Sequence, residues 1–71
     1  MQQKYAIEIK KDPGLSEYDR LFRQLARHLQ HQRKIIVLVL EATRGDHYDN
    51  FTKLVDNYLD VGENSVEIIK K

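Results

Sequence analysis

A chain of 71 residues makes one domain, spanning 1–71, at the small end of what folds without disulfides or metals, so most of its apolar residues must be committed to a core. Hydrophobic residues at 41%, charged residues at 32%, three glycines and one proline describe a globular chain. The absence of cysteine excludes disulfides, thiolate metal sites and thiol nucleophiles. The net charge of +1 hides a polarity along the chain: Arg20 to Lys34 carries only basic charge, whereas Glu41 to Glu63 is dominated by Glu41, Asp46, Asp49, Asp56, Asp60 and Glu63.

Lys4 to Lys10 alternates, with Tyr5, Ile7 and Ile9 on one face and Ala6, Glu8 and Lys10 on the other, which predicts a half-buried strand stopped by Asp12-Pro13-Gly14. Ser16, three residues before Asp19, reads as the cap of a first helix. Its buried stripe is Tyr18, Leu21, Phe22, Leu25, Ala26 and Leu29, and it ends near Gln32. Ile35 to Leu40 is uninterrupted and rich in β-branched residues, as a central strand covered on both faces would be. Thr43-Arg44-Gly45-Asp46 breaks it. A second helix then buries Tyr48, Phe51, Leu54, Val55, Tyr58 and Leu59, with Asp46 as its N-cap and Gly62 as its stop, and Ser65 to Lys70 forms the last strand.

The expected fold is therefore α/β, of βαβαβ order. Short connections make neighbouring strands parallel, and right-handed crossovers with the second strand central give a sheet of order 1-2-3 with both helices on one face. The other face is left bare, presenting Ala6, Glu8, Lys10, Glu67 and Ile69 around one apolar row from the second strand. Such a surface suits the pairing of two copies, so a homodimer is expected.

Ile35 to Leu40 is far shorter than the ~20 apolar residues that cross a bilayer, and Met-Gln-Gln-Lys-Tyr is not a signal peptide, so a soluble chain with the cytoplasm as default location is expected. Arg20, Arg23 and Arg27 share one side of the first helix and form the only footprint for nucleic-acid phosphates. Their expected role is instead to face the acidic second helix, with its Asp56 and Asp60, across the helix–helix seam. His28 and His31 are one turn apart with no further ligand at a matching spacing, and are expected to be solvent-exposed. Asn50-Phe51-Thr52 matches a glycosylation acceptor, but its middle residue belongs to the buried stripe.

Any pocket at the carboxyl ends of the strands would draw on Asp12, Gly14, Thr43, Arg44, Gly45, Asp46 and His47. One glycine per connection builds no phosphate cradle, and neither serine has a His/Asp relay. A non-enzymatic chain is expected, with no cofactor, no metal and no small-molecule substrate.

Arg44-Gly45-Asp46 resembles the RGD tripeptide of integrin-binding adhesion proteins. That resemblance implies a guanidinium for a receptor carboxylate and a carboxylate for a receptor-bound cation, displayed on an exposed turn. The run from Ile35 through Tyr48, Val55-Asp56 and Gly62 to the last strand is similar to the periplasmic domain of ExbD/TolR-type energy-coupling proteins, which implies a dimerising domain. That family's N-terminal membrane helix, with its essential acid, has no counterpart in these residues. Short loops, capped helices and lysine-terminated strands also resemble computationally designed α/β miniproteins, from which Gln30-His31-Gln32 departs.

Overall fold

The computed structural model describes residues 5–71. Its elements are β1 (Tyr5–Lys11), α1 (Leu15–His28), β2 (Lys34–Leu40), α2 (Gly45–Tyr58) and β3 (Ser65–Lys70). The three strands form one sheet of order β1-β2-β3, with both pairings parallel. Connections of a few residues leave no other route: each helix has to run back along the sheet, and a constant crossover hand puts both on the same side.

Between helices and sheet lies one core, made of Tyr18, Leu21 and Leu25 from α1, Phe51 and Val55 from α2 with Leu59 just beyond it, and Ile35, Val37, Val39 and Val66 from the sheet. The Tyr18 and Phe51 rings lie 5.2 Å apart and tilted by 36°, closing the helix–helix seam. The predicted stripe of α2 is wider than the buried one. Leu54 is half out of the core and Tyr58 is 66% exposed, because the sheet beneath is only three strands wide and cannot cover a third helical row.

The two faces of β1 lie opposite to the order expected from its alternation. Ala6 packs against the core, whereas Ile7 and Ile9 are 58% and 60% exposed on the side away from the helices. The parallel register decides this: Ala6, Glu8 and Lys10 stand beside the core residues Ile35, Val37 and Val39, and Ile7 and Ile9 stand beside Ile36 and Leu38. Two ties at the end of the strand hold that register. The Asp12 N–H donates to the Leu40 carbonyl at 2.7 Å, and the Asp12 carboxylate takes two hydrogen bonds from Thr43. At an edge strand, Glu8 and Lys10 can lie half-buried beside α1 and still reach water around the edge. The expected bare face is thus corrected on β1, while Glu67 and Ile69 lie on it as expected, in register with Ile36 and Leu38.

Both helix caps differ from the sequence expectation. Gly14 occupies the N-cap of α1, and the Glu17 carboxylate reaches back to its N–H at 3.2 Å, so Ser16 is an exposed first-turn residue. Asp12 and Pro13 turn the chain here, Asp12 with φ of 43° and Pro13 fully buried. The cap of α2 is Arg44, which makes no side-chain cap hydrogen bond, and Asp46 lies inside the first turn. Helix α1 ends at His28, but turn hydrogen bonds carry its winding to Gln32. Gly62, at φ of 62°, serves in the turn to β3 beyond the end of α2.

The expected attraction between a basic α1 and an acidic α2 is not how the charges are used. Among the described residues the ion pairs are Lys11 to Glu41, at 3.3 Å, and Arg33 to Glu63, both exposed and both between connections or strand ends. Asp60 instead accepts the Val66 N–H at 3.2 Å, anchoring the start of β3. Arg20, Arg23 and Arg27 are all exposed. The seam is apolar, and a charge on its outer rim gains more from hydration than from a long reach across it.

Candidate functional site

Three surfaces carry side chains that packing does not use: the loops at the carboxyl ends of the strands, the uncovered sheet face, and the flank of α1 above β1.

At the carboxyl ends, the structure brings Asp12 and Thr43 together. The Asp12 Oδ1 accepts from the Thr43 hydroxyl at 2.7 Å and from its N–H at 3.1 Å, which closes the ground between the two connections. These hydrogen bonds, the hydroxyl first, hold the Asp12 carboxyl below its ordinary value of 3.8. A lowered folded-state value means the tie contributes above pH about 4 and is lost as the pH falls through the Asp12 titration. The Thr43 amide resonance is expected to titrate with a midpoint below 3.8, and an unshifted midpoint would show that the bond does not persist in solution.

The tripeptide Arg44, Gly45 and Asp46 sits on the same rim and is exposed at all three positions. Arg44 has φ of −102° and ψ of 74°, and the backbone is helical from Gly45 on. Because Arg44 holds the cap position, the Asp46 carboxylate is not engaged in capping α2. It lies in the first turn, where the helix dipole favours a negative charge. His47 lines a groove of ≈ 270 Å³ between the helices, floored by Tyr18, Phe22, Phe51 and Leu54. Asp19 and Arg23 also line it.

The uncovered sheet face carries apolar side chains from all three strands. Register and alternation place Ile7 and Ile9, then Ile36, Leu38 and Leu40, then Ile69 in one layer, with Lys34, Glu67 and Lys11 at its margins. Ile36, Leu38, Leu40 and Ile69 are half-buried on this layer, Lys34 and Glu67 are exposed, and Ile7 and Ile9 are mostly bare. Parallel pairing sets this up, since neighbours in register point to the same side and three short apolar rows become one sheet of side chains.

On the flank of α1 the sequence points to His28 alone. Gln24, His28 and Gln32 follow one another at intervals of four, and Gln24 Oε1, His28 Nδ1 and Gln32 Oε1 are each buried without a hydrogen-bond partner. His28 and Gln32 line a small cavity with Ala6, so this flank looks toward β1. The expectation of two solvent-exposed histidines therefore holds for His31 and is corrected for His28, which is half-buried. The i, i+4, i+8 spacing was legible as a polar row between the apolar stripe and the arginines. Its burial was not, because that depends on α1 lying close over the edge strand. Among the described residues no group of three or more His, Asp or Glu side chains is placed to share a metal ion.

No family model, curated protein or solved structure matches the chain.

Proposed function

We propose that this chain is a protein-interaction module that works by contact rather than by chemistry, and that its working surface is the uncovered sheet face, closed by the same face of a second copy. The observation that carries this is the exposure of Ile7 and Ile9 in a continuous layer with Ile36, Leu38, Leu40 and Ile69. Three strands about 4.8 Å apart and about 20 Å long present a flat patch of about 300 Å², and more once side-chain relief is counted. Two such faces stacked about 10 Å apart bury about 600 Å² by this measure and more with side-chain relief, the size of a weak, concentration-dependent contact. A dimerising role is also what the likeness to ExbD/TolR-type domains implies.

Ile7→Glu puts a charge at the bare end of this layer without touching the core, so the expected result is a halved assembly mass by light scattering with an unchanged circular dichroism spectrum. A mass that Ile7→Glu leaves unchanged removes the proposal.

A second reading rests on a different observation. With Asp46 exposed and the cap position held by Arg44, the Arg44-Gly45-Asp46 tripeptide keeps both of its charged groups available for an integrin-type receptor. It predicts cation-dependent capture by such a receptor that Asp46→Ala abolishes. Equal capture by a folded Asp46→Ala variant excludes this loop as the contact.

A further inference from the structure

Strand β1 is an edge strand, and its outer row of N–H and C=O groups has no partner strand among the described residues. On its helix side it carries Glu8 and Lys10, both half-buried, and neither is in an ion pair among the described residues. Beside it runs the flank of α1 whose Gln24, His28 and Gln32 each hold a buried polar atom without a partner. Those three atoms are sealed within the chain, and what a second chain can reach here is the open strand edge with Glu8 and Lys10 beside it.

We infer that the edge of β1 pairs with the β1 edge of a second copy, antiparallel, about a two-fold axis at Ile9. This goes beyond the face-to-face contact proposed above, since it uses a different surface and a different observation. The register is set by charge. With Ile9 opposite Ile9 of the second copy, Glu8 lies opposite Lys10 of the second copy and Lys10 opposite its Glu8. Two symmetric opposite-charge pairs then form on the helix side. A two-fold centred on Glu8 or on Lys10 sets like charges against each other.

The same axis brings the helices together. Two helices, each about 10 Å wide, lie side by side on three strands, which places α1 above the gap between β1 and β2. A strand spacing of about 4.8 Å across the new junction then sets the two α1 axes about 10 Å apart, the ordinary helix-packing distance. In this register Ala6 stands opposite Asp12 of the second copy, so the end of each α1 that lies beside Ala6, with His28 and Gln32, meets the start of the other α1.

On the opposite side, Ile9 meets Ile9 of the second copy and the two apolar faces become one six-stranded face. Two such sheets stacked by the contact proposed above make a closed tetramer of dihedral symmetry.

The test is the mass of the full chain by light scattering, with the sheet face and the strand edge altered separately. Lys10→Glu sets Glu against Glu twice, Glu8→Lys sets Lys against Lys twice, and each is expected to weaken edge pairing about tenfold or more. The double variant Glu8→Lys with Lys10→Glu restores opposite charge at both places and is expected to regain the wild-type mass, which a folding defect would not do. Ile7→Glu lies opposite Lys11 of the second copy in this register, so it spares the edge and removes only the face contact. A tetramer halved by Lys10→Glu and halved by Ile7→Glu supports both contacts. A wild-type dimer that Ile7→Glu splits and Lys10→Glu does not overturns the edge inference and leaves the face proposal standing. A dimer with the reverse response does the opposite, and single charge variants with wild-type mass, or a double variant that does not recover, overturn the inference.

Discussion

Leu25→Ala will lower the unfolding free energy by about 2–5 kcal/mol, a loss on the scale of the whole stability of so small a domain. Leu25 is fully buried in the middle of α1, where it packs in the layer that also holds Leu21, Ile35, Val37 and Val55. A domain of this size commands roughly 4–10 kcal/mol in all, so the variant loses between a fifth of its stability and the whole of it. In a thermal melt followed by circular dichroism this is a drop of about 10–30 °C. Ile9→Ala is the matched comparison. Ile9 is as hydrophobic as Leu25 but 60% exposed in the single chain, so at concentrations low enough to dissociate any assembly its truncation costs under about 1 kcal/mol. Equal losses in the two variants would mean that the helices cover the other side of the sheet.

Tyr18→Phe is expected to have the opposite sign. The Tyr18 ring is buried against Phe51, yet its hydroxyl finds no hydrogen-bond partner there. Burial, with smaller contributions from Tyr48 and Asp12, pushes the phenol above its ordinary value of 10.0. Removing the hydroxyl keeps the ring contact and removes a desolvated polar group, so stability should rise by about 1–2 kcal/mol, or about 5–15 °C in the melting temperature. A loss of stability would show instead that the hydroxyl is bonded in solution, with Tyr48 and Asp12 as the neighbours to examine. Few substitutions in so small a core are expected to stabilise it, which makes the sign informative on its own.

Much of the architecture was legible in the residues. The switch from alternation in 4–10 to helical spacing after Ser16, then to the unbroken run Ile35 to Leu40, is enough to order the elements, and connections of a few residues with a fixed crossover hand restrict the topology. The caps were less legible. Ser16 and Asp46 have the right chemistry one or two residues inside the true helix starts, and the choice went to Gly14 and Arg44 because backbone turns at Asp12 and Glu41, both at positive φ, decide where each helix can begin. A side chain that favours a cap cannot move a boundary held by the path of the chain.

The candidate surfaces divide in the same way. That Arg44, Gly45 and Asp46 stand on an exposed connection follows from the strand and helix signals on either side of them. Which face of the edge strand is bare did not follow, because alternation separates Ile7 and Ile9 from Glu8 and Lys10 without saying which pair meets the helices. Asp12, joined to Thr43 and to the Leu40 carbonyl across a long stretch of chain, settled that question.

Local periodicity and connection length, being properties of neighbouring residues, determined the number, kind and order of the elements and the parallel sense of the sheet. Only the folded chain decided the orientation of β1, the bare layer around Ile7 and Ile9, and the burial of Gln24, His28 and Gln32, since each depends on residues far apart in sequence meeting in one register. A strand offers two faces of comparable local character, and the long-range pairing that chooses between them leaves no periodic trace in the chain.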